Sequence, residues 1–281
     1  MSPLARSVLI MGWLSSLLAG CRCPDQTSRR GPAPEKQAPL KRLAIYYGWP
    51  SRVDGARSVS EAAEKLSGYD VVVLGAGLQR PEHEDHASTR KIVAQLAGRE
   101  VFGYIPLGRN TGLTTPQIEE QARAWKAVGV AGVFLDEAGY DFGNTRQRQN
   151  QAIGAAHALG LRAFANAFDP DDLFVARRGE HNASGEPTAL RRGDGYLYES
   201  FGLRLGKPEE EAARRAKLEK LAAARELGVR LFGVTTAAAP GAFDGGAWAR
   251  VVEEARRARL DGLGWGEHQF AAQDNKLPWR W

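Results

Sequence analysis

Two adjacent carboxylic acids, Asp136 and Glu137, stand directly after a short apolar segment of this sequence. The apolar residues 130–135 are long enough to cross a buried parallel sheet, and Gly139 and Gly143 then interrupt the pattern. The acids are therefore predicted at the C-terminal end of a strand, which is the face that carries active sites in βα barrels. Two carboxyl groups held in different protonation states can cleave a glycosidic bond.

Side chains alternate between the two faces of a strand, so these two adjacent acids are predicted on opposite faces. With a period of two, Gly132, Phe134 and Asp136 share one face, and Glu137 lies on the other. We expect Asp136 to point inward, because a tight barrel interior needs the small Gly132 on the same face. Glu137 lies at the loop edge, from which its side chain can still reach the mouth. The alternative is structural: acids in such a loop often cap the next helix or pair with a nearby arginine, here Arg146 or Arg148.

Side chains at the other predicted strand ends complete a candidate pocket. Glu199 ends the sixth predicted strand and is the candidate second carboxyl partner, so Asp136, Glu137 and Glu199 are the candidate catalytic residues. Aromatic rings stack on the apolar faces of sugars, and polar groups bind their hydroxyls. The candidate substrate-binding residues of these two kinds are Tyr46, Tyr47, Trp49, Tyr104, Arg109, Tyr140, Asp141, Asn166, Tyr198, Trp265 and Glu267.

The sequence contains no pattern typical of a metal or cofactor site. The histidines include no pair at the helical spacing of zinc proteases, so no metal ligand is predicted. The turn at Gly75 and Gly77 lacks the third glycine of a dinucleotide fingerprint, because Arg80 occupies that position. No GxSxG elbow is present, and both cysteines lie in the N-terminal segment. We therefore expect no cofactor and no serine or cysteine nucleophile.

Eight apolar, strand-like segments alternate with helical patterns along most of the chain. The strands are predicted at 42–48, 69–74, 101–107, 130–136, 161–166, 195–200, 229–235 and 262–265. The helices are predicted at 59–66, 88–96, 115–128, 145–159, 209–227 and 246–257. Such alternation in about 240 residues predicts an α/β fold, a (β/α)8 TIM barrel, rather than a doubly wound sheet. Few residues follow the last strand, so the last helix is predicted to be missing or atypical.

The N-terminal segment has the features of a processing signal. Residues 1–20 combine a basic start with a short apolar stretch, and the tetrapeptide 18–21 resembles a bacterial lipobox, which implies cleavage before Cys21 and acylation of its thiol. The alternative is an ordinary secretory signal with a coincidental cysteine. Residues 21–40 are predicted to form a disordered tether, and residues 41–281 the barrel domain. The protein is thus expected to be exported and lipid-anchored to the cell envelope, with Arg22 after the anchor favouring the outer membrane.

Charge and cysteine content exclude several other classes. The net charge is +5, but the basic residues are spread over predicted helices and the tether without a stripe of interleaved aromatics, so no nucleic-acid partner is expected. Only Cys23 remains beside the anchor, so no disulfide framework is expected. The expected partners are a polysaccharide and, through the lipid anchor, a membrane, and the expected state is a monomer.

Several of these segments resemble one family of barrels. The segment 132–138, the strand 102–105, Asn166 and the strand end at Glu199 are similar to the spherulin-4-type and endo-α-1,4-polygalactosaminidase-type barrels. The resemblance implies a glycoside hydrolase of galactosamine-rich extracellular or envelope polysaccharides, with family acids at Asp136, Glu137 and Glu199. A second aspartate of the polygalactosaminidase motif has its counterpart in Asp141 or is absent, and which acid donates the proton is left open.

Two other functions are compatible with the same residues. The first is a non-catalytic carbohydrate-binding lipoprotein that keeps the aromatic platform but lacks the acid geometry. The second is a structural envelope lipoprotein whose barrel is a scaffold, for which no clustering of Asp136, Glu199 and the rim aromatics is expected.

Overall fold

The computed structural model describes residues 38–266 and 275–278. The predicted signal segment, the lipidation site Cys21, most of the tether and the candidate residue Glu267 lie outside this described part. Its centre is a closed barrel of eight parallel strands, which lie side by side in their order along the chain. The predicted (β/α)8 TIM barrel is therefore confirmed.

The barrel strands lie close to the predicted segments. They are β1 (Lys41–Tyr46), β2 (Val71–Leu74), β3 (Glu100–Pro106), β4 (Gly132–Asp136), β5 (Arg162–Asn166), β6 (Gly195–Glu199), β9 (Arg230–Val234) and β10 (Gly262–Gly264). Two short strands, β7 (Leu203–Arg204) and β8 (Lys207–Pro208), form a separate hairpin after β6. Every neighbouring pair in the barrel is parallel, so all the strand C-termini meet on one face.

Helices occupy most of the connections between these strands. They are α1 (Val59–Leu66), α2 (His86–Gln95), α3 (Thr115–Val128), α4 (Arg146–Ala158), α5 (Asp171–Phe174), α6 (Glu211–Lys220), α7 (Ala222–Glu226) and α8 (Gly245–Arg257). Side-chain caps fix several of their starts: Ser58 accepts from the Glu61 amide, Thr145 from the Arg148 amide and Asp244 from the Ala247 amide.

The connection predicted as a single helix over 209–227 differs from that prediction. It consists of α6 and α7, which are separated at Leu221, a fully buried residue. Among the described residues no helix follows β10. Residues 275–278 instead pack against the connection that follows β1. There the Trp49 amide donates to Asn275 Oδ1 at 2.7 Å, and the Leu277 amide donates to Asp54 Oδ1 at 2.8 Å.

The interior of the barrel is filled by side chains in layers. Its apolar middle consists of Leu43, Ile45, Val71, Val73, Phe102, Phe134, Phe164, Leu197, Phe232 and Val234. The phenylalanine rings meet edge to face, with 5.1 Å between the centroids of Phe134 and Phe164. Gly132 makes room for them, because a Cβ there would stand 2.5 Å from Phe102 Cε1. A dry, tightly packed centre therefore supports whatever lies above it.

A charged layer closes the opposite, N-terminal end of the barrel. Glu100 on β3 forms ion pairs with Lys41 on β1, Arg162 on β5 and Arg230 on β9, the last with 2.9 Å between nitrogen and carboxylate oxygen. These four residues come from alternate strands, which is how a layer of a TIM barrel is built. The three cations lower the pKa of Glu100 against the opposing effect of burial. One carboxylate thus ties together strands from opposite sides of the barrel.

Within the described residues, none of the helices is both long and apolar enough to cross a membrane.

We expect Glu100→Gln to reduce the free energy of unfolding by about 2 kcal/mol at pH 7, because it leaves three partly buried cations without their anion. The pKa of Glu100 is lowered in the folded state, so its contribution is present above its unfolded pKa and is lost as the pH falls through the folded value. The destabilisation should therefore shrink at low pH. Urea unfolding at several pH values measures it, and Glu253→Gln on the exposed side of α8 is the control. Equal effects of the two substitutions would contradict the role of Glu100.

Candidate active site

Three polar side chains from consecutive strands meet at the C-terminal face of the barrel. Asp136 ends β4, Asn166 ends β5 and Glu199 ends β6. The Asn166 amide nitrogen donates to Asp136 Oδ1 at 2.8 Å and to Glu199 Oε1 at 2.5 Å. Because one nitrogen donates to both oxygens, these oxygens lie no more than about 5.3 Å apart, a separation suited to two carboxyl groups that act on one bond. Asn166 itself is buried, with 5% of its surface exposed.

Asp136 is surrounded by hydrogen-bond donors. Besides Asn166, the backbone amide of Glu137 donates to its Oδ1 at 2.9 Å, and the hydroxyl of Tyr104 donates to the same carboxyl group. Burial raises the pKa of Asp136, while these three donors act in the opposite direction by stabilising the ionised form. Its side chain lies on the inner face of β4, the face that also carries Gly132 and Phe134.

Glu199 has a different environment although it shares the same amide. Burial, reinforced by the negative charge of Asp136, raises the pKa of Glu199 to about 7. Asn166 and the ammonium group of Lys217 oppose this increase. Three donors stabilise the ionised form of Asp136, whereas Asn166 is the donor that does so for Glu199. Glu199 is therefore the acid of the pair that keeps its proton to higher pH.

Glu137 takes an uncommon backbone conformation just past Asp136. Its φ of 54° lies in the left-handed region that glycine favours, and Ser200, which follows Glu199, has a φ of 58°. At Glu137 this conformation turns the backbone amide back onto Asp136. The Glu137 side chain points toward the β3 loop, where its Oε2 would stand 2.4 Å from a Cβ at Gly108. Strain of this kind is typical of functional sites.

The loop after β4 is held in place by buried amides and arginines. Asn144 donates to the carbonyl oxygen of Glu137, and Gln149 donates to that of Ala138 at 2.7 Å. Arg146 bonds to Gln149 and to backbone carbonyls of the β5 to β6 connection, and Arg148 bonds to the carbonyls of Leu107 and Leu113. Thr145 rather than an acid caps α4, and in the described structure neither arginine forms an ion pair with Asp136 or Glu137. The structural alternative for the acid pair therefore does not describe this loop.

Two of the candidate aromatic residues lie near the acids, on top of the apolar layer of the barrel. The rings of Tyr47 and Tyr104 lie 5.0 Å apart, edge to face, and pack on the phenylalanine layer of the barrel. The charge of Asp136 raises the pKa of both hydroxyl groups, after the larger effect of burial. Rings beside the acids offer an apolar surface to a sugar.

Four candidates lie around the rim. Tyr140 stacks on His181 at 4.8 Å, and its amide donates to Asp172. Asp141 is exposed, and its charge contributes to raising the pKa of Glu137 and of Glu199.

The other two rim candidates lie on the loops after β3 and β1. Arg109 is also exposed and lines a cleft with Arg148. The guanidinium carbon of Arg52 lies over the Trp49 ring, 4.1 Å from the centre of that ring.

Three other candidates point out of the barrel wall rather than into the barrel with the acids. Tyr46 is fully buried, and its hydroxyl donates to the Trp49 carbonyl at 3.0 Å. Trp265 packs against Phe243 and Trp248. Tyr198 faces outward because it alternates with Glu199, and its hydroxyl donates to Glu209. Aromatic residue type and position near a strand end cannot distinguish inward from outward residues, whereas strict alternation from Glu199 can do so for Tyr198.

Two residues near the ends of β5 and β6 were not among the candidates. Lys217 on α6 places its ammonium nitrogen 4.3 Å from the ring centre of Tyr198 and 4.8 Å from that of Phe168. Phe168 follows β5 and is 60% exposed. The sequence could have indicated Phe168, because an aromatic residue follows the strand that ends at Asn166. It could not have indicated Lys217, which lies on a helix with an ordinary charged pattern.

Among residues 38–266 and 275–278, no group of three or more histidine, cysteine, aspartate or glutamate side chains is arranged to hold a metal ion.

The fold is similar to that of solved barrel enzymes at low sequence identity. An apo endo-beta-N-acetylglucosaminidase from Cordyceps militaris aligns over 85% of this chain and 86% of its own, with 12% identity and a TM-score of 0.51. A 3-keto-D-glucoside 4-epimerase from E. coli aligns over 84% and 94%, with 14% identity and a TM-score of 0.48. No protein-family profile and no curated protein matches the sequence. At these identities the similarity concerns the fold alone.

We expect Glu199→Gln to stabilise the folded protein at alkaline pH. The folded pKa of Glu199 is about 7, above the usual value of 4.5, so folding favours the protonated form and stability is lost as the pH rises through the folded pKa. Glutamine cannot ionise, so the variant should exceed the wild type by about 2 kcal/mol at pH 8 and by much less at pH 5. Chemical unfolding at both pH values measures this. A variant less stable than the wild type at pH 8 would contradict the raised pKa.

Proposed function

We propose that the protein is a glycoside hydrolase that uses Asp136 and Glu199 as its two carboxyl groups. The observation that carries this proposal is the amide of Asn166, which donates to both acids and holds one oxygen of each within hydrogen-bond distance of the same nitrogen. A scaffold protein would have no reason to bury two acids so close together, because each raises the pKa of its neighbour and costs stability.

The environments of the two acids favour distinct roles. Glu199, with a pKa of about 7, can hold a proton at neutral pH and donate it to the glycosidic oxygen. Asp136, with three donors, is the better anion and acts as the nucleophile on the anomeric carbon. Water then attacks the glycosyl ester, and the Glu199 carboxylate takes the proton from this water. The short separation of the acids supports this two-step route, which retains the anomeric configuration.

The identity of the polysaccharide substrate is inferred from the resemblance to the polygalactosaminidase-type barrels. On that basis the substrate is an extracellular or envelope polysaccharide that contains galactosamine, cleaved within the chain. The rings of Tyr47 and Tyr104 provide the stacking surface, and exposed Asp141 is the candidate counterpart of the second motif aspartate. The protein would act as a monomer, exported and held at the outer membrane through lipidated Cys21.

The test is hydrolysis of partially deacetylated poly-galactosamine, and of a panel of other polysaccharides, by the wild type and by Asp136→Asn and Glu199→Gln. Each substitution should reduce turnover by about a thousandfold or more, because each removes an obligatory chemical role. Glu137→Gln should cost about tenfold at most, since the Glu137 side chain faces Gly108. Glu120→Gln, an exposed acid on α3, is the control.

Product formation that survives either Asp136→Asn or Glu199→Gln would overturn the assignment of the acids. Binding of a polysaccharide without any turnover by the wild type would favour the non-catalytic carbohydrate-binding lipoprotein. Neither binding nor turnover would favour the structural envelope lipoprotein.

A further inference from the structure

A cation within electrostatic reach of Glu199 has no anionic partner in direct contact among the described residues. Lys217 forms no ion pair and no hydrogen bond within the described residues, although its ammonium group is within electrostatic reach of Glu199, Glu209 and Asp169. Its direct neighbours are the rings of Tyr198 and Phe168, at 4.3 and 4.8 Å. An ammonium group carries three hydrogens to donate, so this one is available to a ligand.

The position of Lys217 is fixed by the rest of its helix. One turn later, Lys220 forms ion pairs with Asp169 at 2.7 Å and Asp171 at 3.1 Å, and these bind α6 to the loop that carries Phe168. On the other side Arg214 pairs with Glu254 of α8 at 3.0 Å. The helix is therefore anchored at two points, and Lys217 is held over the rim rather than free in solvent.

Phe168 adds an apolar surface at the same place. Its ring is 60% exposed, an uncommon state for a large apolar residue, and it lies two positions after Asn166. A partly exposed ring at the mouth of a sugar-binding pocket offers a face on which a pyranose can stack. The ammonium group of Lys217 beside it can donate to the hydroxyl groups of the same sugar.

We propose that Phe168 and Lys217 form a sugar-binding subsite for the leaving-group side of the glycosidic bond, with the ring as the platform and the ammonium group as the hydrogen-bond donor. The choice of side rests on the proposed function, because the general acid of a glycosidase faces the departing oxygen, and Glu199 is the one of the two acids whose pKa Lys217 influences.

The same placement gives Lys217 a second effect, on the acid itself. Burial lowers the pKa of Lys217 itself to about 8, so the ammonium form prevails below that pH. There its positive charge favours the ionised form of Glu199 and so lowers the pKa of that carboxyl group. Removal of the charge by Lys217→Met should raise the pKa of Glu199 and move the alkaline limb of the kcat/KM profile to higher pH. Lys217→Arg keeps the charge and should leave the limb in place. A lysine that only supported the fold would not shift the limb.

Binding is tested separately from turnover, in the full chain carrying Glu199→Gln. Isothermal titration with galactosamine oligosaccharides and with N-acetylglucosamine oligosaccharides compares this parent with the added substitutions Lys217→Met, Phe168→Ala and Arg215→Met. The first two should weaken binding by about tenfold, because each removes one contact to the same sugar. Arg215 is an exposed cation on the same helix and is the matched control, so its replacement should leave the affinity unchanged.

The two proposals fail in different ways. Affinities unchanged by Lys217→Met and Phe168→Ala, or no binding of any oligosaccharide by the Glu199→Gln parent, would overturn the subsite even if the wild type hydrolyses a polysaccharide. Binding that depends on Lys217 and Phe168, without turnover by the wild type, would retain the sugar-binding site and overturn the hydrolase.

Discussion

The shared amide of Asn166 is the interaction on which the candidate site depends. It donates to Asp136 and Glu199 from one nitrogen, so it sets both the distance between the acids and the way their charges interact. Two ionised carboxylates this close repel each other, and a single donor cannot compensate both. The pair therefore favours a state in which one of the two acids is ionised and the other protonated. The additional donors to Asp136 make it the ionised one.

The barrel supplies this arrangement through its layers. Ion pairs around Glu100 close the N-terminal end, packed phenylalanine rings fill the middle, and the polar triad emerges above them. The triad comes from β4, β5 and β6, which are neighbours in the barrel, so parallel pairing alone brings the three strand ends together. The left-handed residues Glu137 and Ser200 then turn the chain sharply after each acid. Stability of the lower layers offsets the cost of burying acids at the top.

The sequence predicts much of this arrangement because its determinants are local. The alternation of apolar and helical segments predicts all eight barrel strands, and the small Gly132 correctly suggests that Asp136 points inward. Residue type alone does not separate Tyr47, which packs on the inner apolar layer of the barrel, from Tyr46, which packs outside. Lys217 was missed because its role depends on how α6 is anchored by ion pairs between distant segments, and no local pattern shows such contacts. The break at Leu221 likewise follows from packing rather than from helix propensity.

The central claim, that one amide holds two acids in different protonation states, is tested most directly by following the side-chain carboxyl carbons of Asp136 and Glu199 by NMR as a function of pH. Our account predicts that Asp136 loses its proton first and that Glu199 titrates near pH 7, with each signal responding to ionisation of the other. Independent titration of both groups near their ordinary values, or ionisation of Glu199 before Asp136, would contradict it.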